Sequence, residues 1–329
     1  MLHSLIPPTQ RQTAAEVTEA LDLGSGDRAG KRSGFLIMLT LAGIIAIAGV
    51  LTDSTATVIG AMIIAPLGTP ILAIGLGIVT GHLSLVVRSI LWVLLGVVIV
   101  VVLGLAFSVF VSTPQSLETN SQVVGRTSPS FMDLIAALAT GFAGGFAMCR
   151  RDLSAILPGV AIAISLVPPL GVVGVCAGQG LWTDALGALW LFLSNVVALV
   201  IAGSIVFTLA GYARDPGSSP IANRRRAYVI VTLLAIVIAV PLAVNSIVSV
   251  ALARWSVAIQ DATTHWLDED EGARVYGVDW SGTTATVEIT TDDGGTPSVD
   301  DLRTSLATLI PSFVGVVIDV GQGAEITVQ

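Results

Sequence analysis

Seven apolar stretches, each long enough to cross a bilayer, constrain this chain more than any other feature. A membrane-spanning helix needs about 20 predominantly apolar residues. The candidate stretches cover residues 34–52, 56–80, 88–111, 131–149, 155–178, 185–211 and 227–251. Only 12% of the residues are charged, against about 25% in soluble domains. The sequence therefore predicts an all-α polytopic membrane protein with about seven transmembrane helices.

The basic residues predict which side of the membrane each loop occupies. If the seven stretches alternate in direction, eleven of the fifteen basic residues fall on one side: Arg11, Arg28, Lys31, Arg32, Arg88, Arg150, Arg151, Arg214, Arg224, Arg225 and Arg226. Basic residues close to spans stay in the cytoplasm. We therefore expect a bacterial inner-membrane protein with a cytoplasmic N-terminus and an extracytoplasmic C-terminal domain.

The same pattern divides the chain into five segments. They are a cytoplasmic N-terminal segment (1–32), a membrane core (33–211, with repeat units 33–111 and 131–211), a basic cytoplasmic loop (212–226), a seventh transmembrane helix (227–251) and an acidic extracytoplasmic domain (252–329). In the last segment, a helix precedes the strand patterns RVYGVDW and TTATVEITT, and the helix SVDDLRTSLATLI precedes FVGVVIDV and EITVQ. This order predicts a small α+β domain. Its acidity excludes nucleic acid, which needs a basic surface.

The second stretch, VIGAMIIAPLGTPILAIG in its central part, contains residues that interrupt a helix. Pro66 and Pro70 each lack a backbone donor. In lipid, the freed backbone groups must be satisfied by protein or water. At 1.5 Å per residue the two prolines lie about 15–21 Å into the span. We therefore expect a broken helix near the bilayer centre.

The fifth stretch repeats this pattern 99 residues later. Aligning residues n and n+99 gives seven identities in twenty-five positions: Asp53 with Asp152, Ala56 with Ala155, Gly60 with Gly159, Ile63 with Ile162, Leu67 with Leu166, Pro70 with Pro169 and Gly75 with Gly174. Because an odd number of spans separates the two copies, they run in opposite directions. The pattern predicts a 3+3 inverted repeat, an arrangement that places the substrate of many transporters at the midplane.

The candidate residues of a ligand or ion pathway lie at the two predicted breaks and on the sixth stretch. They are Pro66, Gly68, Thr69, Pro70, Ser165, Pro168, Pro169 and Asn195. The residues at the breaks also fit a structural kink without a ligand, or a gating hinge. Asn195 also fits a hydrogen bond between helices.

Asp53 and Asp152 each precede an apolar run and are predicted to be helix caps. Proton or cation coupling is the alternative for both residues. No charged residue lies clearly at the centre of a stretch, where strongly ion-coupled carriers usually keep one. This favours a neutral or weakly charged solute, or a small ion held by carbonyl groups.

Catalytic and metal-binding patterns are missing from the sequence. We find no Walker loop, HExxH motif or Ser-His-Asp pattern, and Cys149 and Cys176 lack metal-site spacing. We therefore expect no enzyme, no metal and no cofactor. The first hypothesis is a secondary transporter or channel-like carrier, with the lipid bilayer, a small solute or ion and a homo-oligomer as partners. The second is a non-transporting scaffold or sensor whose acidic domain binds a partner.

The stretch DSTATVIGAMIIAPLGTPILAIGLGIVTGHL resembles the signature of the domain-of-unknown-function 389 family, and VIGAMIIAPLGTPI is its most specific part. The resemblance covers about residues 33–210. It implies a multi-span bacterial membrane protein and implies no particular activity. This sequence has Gly68 and His82 where members often carry methionine and aspartate, so the resemblance assigns no role to the side chain at position 82.

Overall fold

Two compact units, Met1–Ala243 and Val244–Gln329, make up the chain. The structure, a computed structural model, describes residues 6–111, 113–127, 131–153, 166–214, 221–267, 274–281, 284–291, 298–311 and 313–322. The predicted change of architecture, near residue 252, lies inside a helix of 47 residues that begins in the first unit and ends in the second.

The first unit is helical wherever the structure assigns regular elements to it, apart from one isolated β-bridge. Its helices are α1 (Ala14–Leu21), α2 (Arg28–Leu51), α3 (Thr55–Ile64), α4 (Gly68–Thr80), α5 (Leu83–Phe107), α6 (Gln115–Glu118), α7 (Ser121–Thr127), α8 (Phe131–Met148), α9 (Val167–Gly178) and α10 (Trp182–Leu209). Single 3-10 turns follow α5 and α10, at Ser108–Phe110 and Tyr212–Arg214. The long helix α11 (Ile221–Leu267) follows.

Local sequence explains where several of these helices begin. Thr13 and Glu16 form a capping box at the start of α1, in which each side chain accepts the other's backbone N–H. Asp27 accepts from the Gly30 amide at the start of α2. These caps satisfy amides that the first turn of a helix leaves without partners.

Several apolar helices of membrane-spanning length are present, as a membrane protein requires. Among the described residues, four helices are long and apolar enough: α2, α5 with its 3-10 turn, α8 and α10. Helices α3 and α4 form a bent pair that would make a fifth span. Helix α9 is apolar but has 12 residues, and residues 154–165 before it lie outside the described part of the chain. The predicted stretch 227–251 lies within α11, and the count of seven spans stays a prediction.

Helix α5 has two different faces. One face is largely exposed, although it consists of large apolar residues: Leu91, Leu94, Val98 and Val102. The other face, with Val93 and Val100, is buried and includes the small residues Ser89, Gly96 and Gly104. A row of exposed apolar side chains on a long helix suits contact with lipid, because the bilayer core contains no water to which these side chains would be exposed. The small residues let neighbouring helices approach closely.

The second unit combines helices with a three-stranded sheet. After the end of α11 come β1 (Arg274–Ser281), β2 (Thr284–Thr291), α12 (Val299–Leu309) and β3 (Gly315–Gln322). The strand order is β1-β2-β3. Strand β1 is antiparallel to β2, and β3 is parallel to β2, so α12 forms the crossover that a parallel pair needs. This order agrees with the predicted α+β domain, although EITVQ lies outside the described residues.

The core of the second unit lies between the sheet and the helices. Its buried residues are Ile259, Leu267, Ala285, Val287, Ile289, Leu302 and Leu306. Residues 285, 287 and 289 alternate along β2, as one face of a strand does. The Trp266 indole N–H also donates to the Ser298 carbonyl, at 3.0 Å. Helix α11 and helix α12 are therefore tied together at the start of α12.

Candidate functional site: two half-helices behind prolines

The chain changes direction between α3 and α4 at the first pair of prolines. Ala65, which ends α3, is extended, with φ −71° and ψ 124°. Pro66 has no N–H to donate to the Met62 carbonyl. The chain re-forms a helix when the Thr69 amide donates to the Pro66 carbonyl, at 3.2 Å. The two helices meet at an angle of 48°, which confirms the predicted break.

Helix α4 begins inside the protein without a polar cap. Leu67 occupies its N-cap position and makes no side-chain capping hydrogen bond. Gly68 and Pro70, in its first turn, are buried, and Thr69 is partly exposed. The start of α4 therefore carries the positive end of the helix dipole next to a partly exposed hydroxyl group.

Helix α9 begins in the same way at the second pair of prolines. Leu166 holds its N-cap position without a side-chain capping hydrogen bond. Pro168 and Pro169 lie in the first turn, and both are buried. The candidate Ser165 lies outside the described residues. The described part of the fifth stretch is thus a half-helix whose prolines stand at its start, where missing amides cost little.

The starts of the two half-helices and of the helices after them are 99 residues apart. Four pairs of positions correspond: the N-caps Leu67 and Leu166, the first residues Gly68 and Val167, the left-handed glycines Gly81 and Gly180, and the next helix starts Leu83 and Trp182. Gly81 has φ 75° and Gly180 has φ 78°, so the chain turns at both positions through a left-handed conformation that favours glycine.

Each half-helix packs against both long helices of the core. Helix α4 contacts α5 and α10, and helix α9 likewise contacts α5 and α10. A Cβ atom on Gly75 of α4 would lie 3.2 Å from the Val200 carbonyl oxygen and 3.3 Å from the Ser204 nitrogen. The nearest atoms to a Cβ on Gly174 of α9 include the Val101 carbonyl oxygen and the Leu105 nitrogen. Val101 and Leu105 precede Val200 and Ser204 by the same 99 residues.

Helix α10 carries two buried polar residues of interest. Asn195 is 2% exposed, and its alignment partner in the first half is Gly96. Ser204, also buried, donates its hydroxyl to the Gly75 carbonyl at 3.4 Å. Sequence analysis missed Ser204. The available signal was a hydroxyl group inside the apolar run ALVIAGSIVF, nine positions after Asn195.

Asp53 has a different role from the one predicted. Ser54, not Asp53, is the N-cap of α3, since its side chain accepts from the Thr57 amide. The predicted cap of that helix by Asp53 is therefore wrong. The Asp53 carboxylate instead accepts from the Ser121 hydroxyl at 2.6 Å and the Gln122 amide at 3.2 Å, both at the start of α7. The hydrogen bond from Ser121 is the main cause that lowers the pKa of Asp53.

Asp152 forms an ion pair within its own loop. Its two carboxylate oxygens accept from Arg150, at 2.6 Å and 3.0 Å. The hydrogen bond from Arg150 is the main cause that lowers the pKa of Asp152. The helix that Asp152 was predicted to cap would begin outside the described residues, so that role stays a prediction.

The N-terminal segment, residues 6–27, is packed against the helical core. Ile6, Val17, Leu21 and Leu23 are buried in the main hydrophobic cluster of the unit. The basic residues of two predicted cytoplasmic loops meet this segment, since Arg88 pairs with Asp22 and Arg151 pairs with Glu16. We call the end of the core that carries Arg88 and Arg151 the basic end. Sequence analysis assigned no contact to residues 6–27.

Comparisons with known proteins match the region that contains both half-helices. The family model described as Domain of unknown function (DUF389) matches residues 62–202. An uncharacterized protein of Methanocaldococcus jannaschii is 33% identical over 210 residues, which are 62% of this chain and 64% of that relative. The chain thus spans just under two thirds of the relative's length. No solved structure matches the chain. The resemblance expected over residues 33–210 is confirmed over the narrower range 62–202.

Proposed function

We propose that the protein is a secondary transporter or channel-like carrier, and the premise is the match of residues 62–202 to the domain-of-unknown-function 389 family. Its proposed core is a 3+3 inverted repeat, with residues 33–111 and 131–211 as the two units. The proposed pathway runs between the half-helices α4 and α9. Inverted repeats with discontinuous helices are a common architecture of secondary transporters.

The single observation that carries this proposal is the agreement of α4 and α9. Both half-helices start after an uncapped leucine and have proline in the first turn, both end before a left-handed glycine, and both contact the long helices α5 and α10. A kink that only bends one helix requires no second copy. Matching discontinuous helices, one in each of two related halves, are what many transporters with alternating access contain.

The chemistry at the breaks favours a neutral or weakly charged solute, or a small ion held by carbonyl groups. Pro66 leaves the Met62 carbonyl without its usual helical donor. Thr69 offers a hydroxyl group at the start of α4, and Asn195 and Ser204 lie on α10. Lysine, arginine, aspartate and glutamate are missing from α3, α4 and α9. Dipoles and hydroxyl groups would therefore bind the solute, and the proposal includes no enzymatic step, metal or cofactor.

The proposed orientation places the basic end in the cytoplasm. Arg88, Arg150 and Arg151 lie beside predicted spans, and such residues are retained on the cytoplasmic side of a bacterial inner membrane. With seven spans, the C-terminal unit would then be extracytoplasmic. Its partner, if the transporter uses one, would meet an acidic surface, since thirteen acidic residues follow Leu252.

Cysteine accessibility tests this proposal. Cys149 and Cys176, both buried, are replaced by alanine, and single cysteines are placed at Thr69 and Val167. Each variant in sealed membranes is treated from either side with a membrane-impermeant thiol reagent. If water reaches the bilayer centre along a pathway, both positions react, and an excess of the transported solute slows the reaction.

Three controls make either outcome informative. Cysteines at Ser84 and Ser121, both exposed and on opposite sides of the predicted topology, should react from opposite sides. A cysteine at Val98, which is 57% exposed on the apolar face of α5, should stay unreactive in lipid. If Thr69 and Val167 are as unreactive as Val98 while the loop controls react, the breaks are dry kinks and the transport proposal fails.

A further inference from the structure

The N-terminal segment is bound to the second half of the core and to the turn after it by several polar contacts. The Gln12 amide donates to the Cys149 carbonyl, and the Arg151 amide donates to the Gln10 carbonyl, both at 2.9 Å. The Tyr212 hydroxyl donates to the Gln12 carbonyl, at 2.9 Å. The Arg151 side chain pairs with Glu16, at 2.8 Å. This end of the segment is therefore attached to the loop after α8 and to the turn after α10.

The other end of the same segment is bound to the first half. Asp22 is 8% exposed at its side chain and pairs with Arg88 of α5, at 3.0 Å. The Arg32 side chain donates to the Leu23 carbonyl, at 3.2 Å. Gly24 lies directly against the Arg88 guanidinium, where a Cβ atom would overlap it. Asp22, Leu23 and Gly24 therefore enclose Arg88 closely.

Helix α1 joins these two attachments and covers α4. Val17 and Leu21, on its inner face, are 0% and 2% exposed. Helix α1 contacts α4, the half-helix that follows the first break. One short segment thus touches the first half, the second half and the half-helix between them.

We infer that the N-terminal segment is a latch that holds the two halves of the core together at the basic end. This inference rests on the proposed function for its role, which is to keep that end of the pathway closed. When two halves rock against each other, the distance between Arg88 and Arg151 changes, because they belong to different halves. A segment attached at both residues must then release one of them.

The ion pair between Arg151 and Glu16 suits a reversible device. Arg151 and Glu16 are 53% and 46% exposed at their side chains, so salt screens their attraction. An exposed ion pair changes an equilibrium by about twofold to fivefold. The buried apolar side chains of α1 hold the segment near the core after the ion pairs break. The latch can therefore open without the segment leaving.

Spin-label distances in the full-length protein test the latch. Cys149 and Cys176 are replaced by alanine. Labels are placed at Ser84→Cys in the first half and at Arg214→Cys in the 3-10 turn directly after the second half, both exposed positions. Arg88→Ala with Arg151→Ala should broaden the distance distribution and add a longer population. Arg150→Ala is the matched control. It removes the same charge from the same loop as Arg151→Ala, but Arg150 pairs with Asp152 of its own loop.

The outcome that overturns the inference is a distance distribution in the Arg88→Ala, Arg151→Ala protein that equals those of the parent and of Arg150→Ala. Tyr212→Phe keeps the inference testable if the double variant does not fold, because it removes only the hydroxyl that donates to Gln12. Tyr212→Phe and raised salt should each increase the longer population. A population that responds to neither change also overturns the latch.

The latch and the proposed transport function can fail separately. If the labels move apart while Thr69→Cys and Val167→Cys remain unreactive, the latch stands and transport fails. If Thr69→Cys and Val167→Cys react from both sides while no latch variant changes the distance between the spin labels, transport stands and the latch fails.

Discussion

Gly174 of α9 lies so close to Gly104 of α5 that a Cβ atom on Gly174 would be 2.7 Å from the Gly104 Cα atom. The Leu105 nitrogen would be 2.8 Å from the same Cβ. Real Cβ atoms do not approach backbone atoms so closely, and these neighbours are backbone atoms that cannot rotate away. The crossing of α9 and α5 therefore depends on glycine at position 174.

Gly174→Ala should destabilise the first unit by about 1–3 kcal/mol, the usual cost of overpacking a close contact. Gly75→Ala should cost less, because its Cβ would have 3.2 Å to its nearest neighbours. Thermal unfolding of the detergent-solubilised protein measures both effects. Gly60→Ala is the control, because a Cβ at Gly60 meets nothing within 4 Å and alanine favours a helix. Equal unfolding temperatures for Gly174→Ala and Gly60→Ala would contradict the close crossing.

Pro66→Ala should make the break between α3 and α4 less populated. Alanine restores an N–H that can bond to the Met62 carbonyl, and one such hydrogen bond of about 1 kcal/mol shifts a population about fivefold. The labelling rate of Thr69→Cys should fall by a similar factor. Pro114→Ala, at the start of α6 and away from both breaks, should leave that rate unchanged. A Pro66→Ala protein that labels like its parent would show that the break does not depend on this proline.

The effect of substituting Asp53 on the unfolding temperature should depend on both its hydrogen bonds and its backbone conformation. Asp53 has φ 51°, a left-handed conformation that asparagine tolerates and alanine does not. Asp53→Asn keeps an acceptor oxygen for Ser121 and should unfold close to the parent temperature. Asp53→Ala loses both features and should unfold at the lowest temperature of the three. The order is checked by thermal unfolding, and an alanine variant as stable as the asparagine variant would contradict it.

The Glu16 contact should be insensitive to pH near neutrality. The hydrogen bond from the Thr13 amide is the main cause that lowers the pKa of Glu16, with Arg151 adding to it. A lowered carboxyl pKa stabilises the folded form above the ordinary value, about 4.3 for glutamate, and this stabilisation is lost as the pH falls through the lowered pKa. The distance between labels at positions 84 and 214 should stay constant from about pH 8 to 5 and lengthen only in stronger acid.

Glu16→Gln is the control for this pH dependence. It removes the charge at every pH, so its acid response should be smaller than that of the parent. A parent protein whose label distance changes between neutral pH and pH 5 would show that another group controls the latch.

Ile259→Ala should destabilise the C-terminal unit by about 2–5 kcal/mol, as large-to-small core substitutions do. Ile259 is fully buried against the sheet, and its removal leaves a cavity. Val257→Ala, two residues earlier on the same helix and 58% exposed, should have little effect. Limited proteolysis of the residues after Val244 measures the difference, and equal cleavage rates would contradict the proposed core.

Patterns of local sequence were enough to predict the apolar helices, the break at Pro66 and Pro70 and the α+β character of the C-terminal unit. A missing amide at proline, the length of an apolar run and the alternation along β2 act within a few residues of the chain. The offset of 99 residues was also visible, because similar segments leave similar sequences. The same offset reappears at Gly81 and Gly180, where the chain turns in a left-handed conformation. These two glycines were not among the identities used to find the offset.

Only the tertiary structure decided which polar groups meet. Asp53 binds residues 68 and 69 positions away, Ser204 reaches Gly75 across 129 positions, and Glu16 pairs with Arg151 across 135. No local pattern encodes such pairs, because the packing of whole helices brings them together. The apolar stretches thus determined by themselves that the chain forms apolar helices of membrane-spanning length, whereas contacts between distant parts of the chain determined where the N-terminal segment is attached.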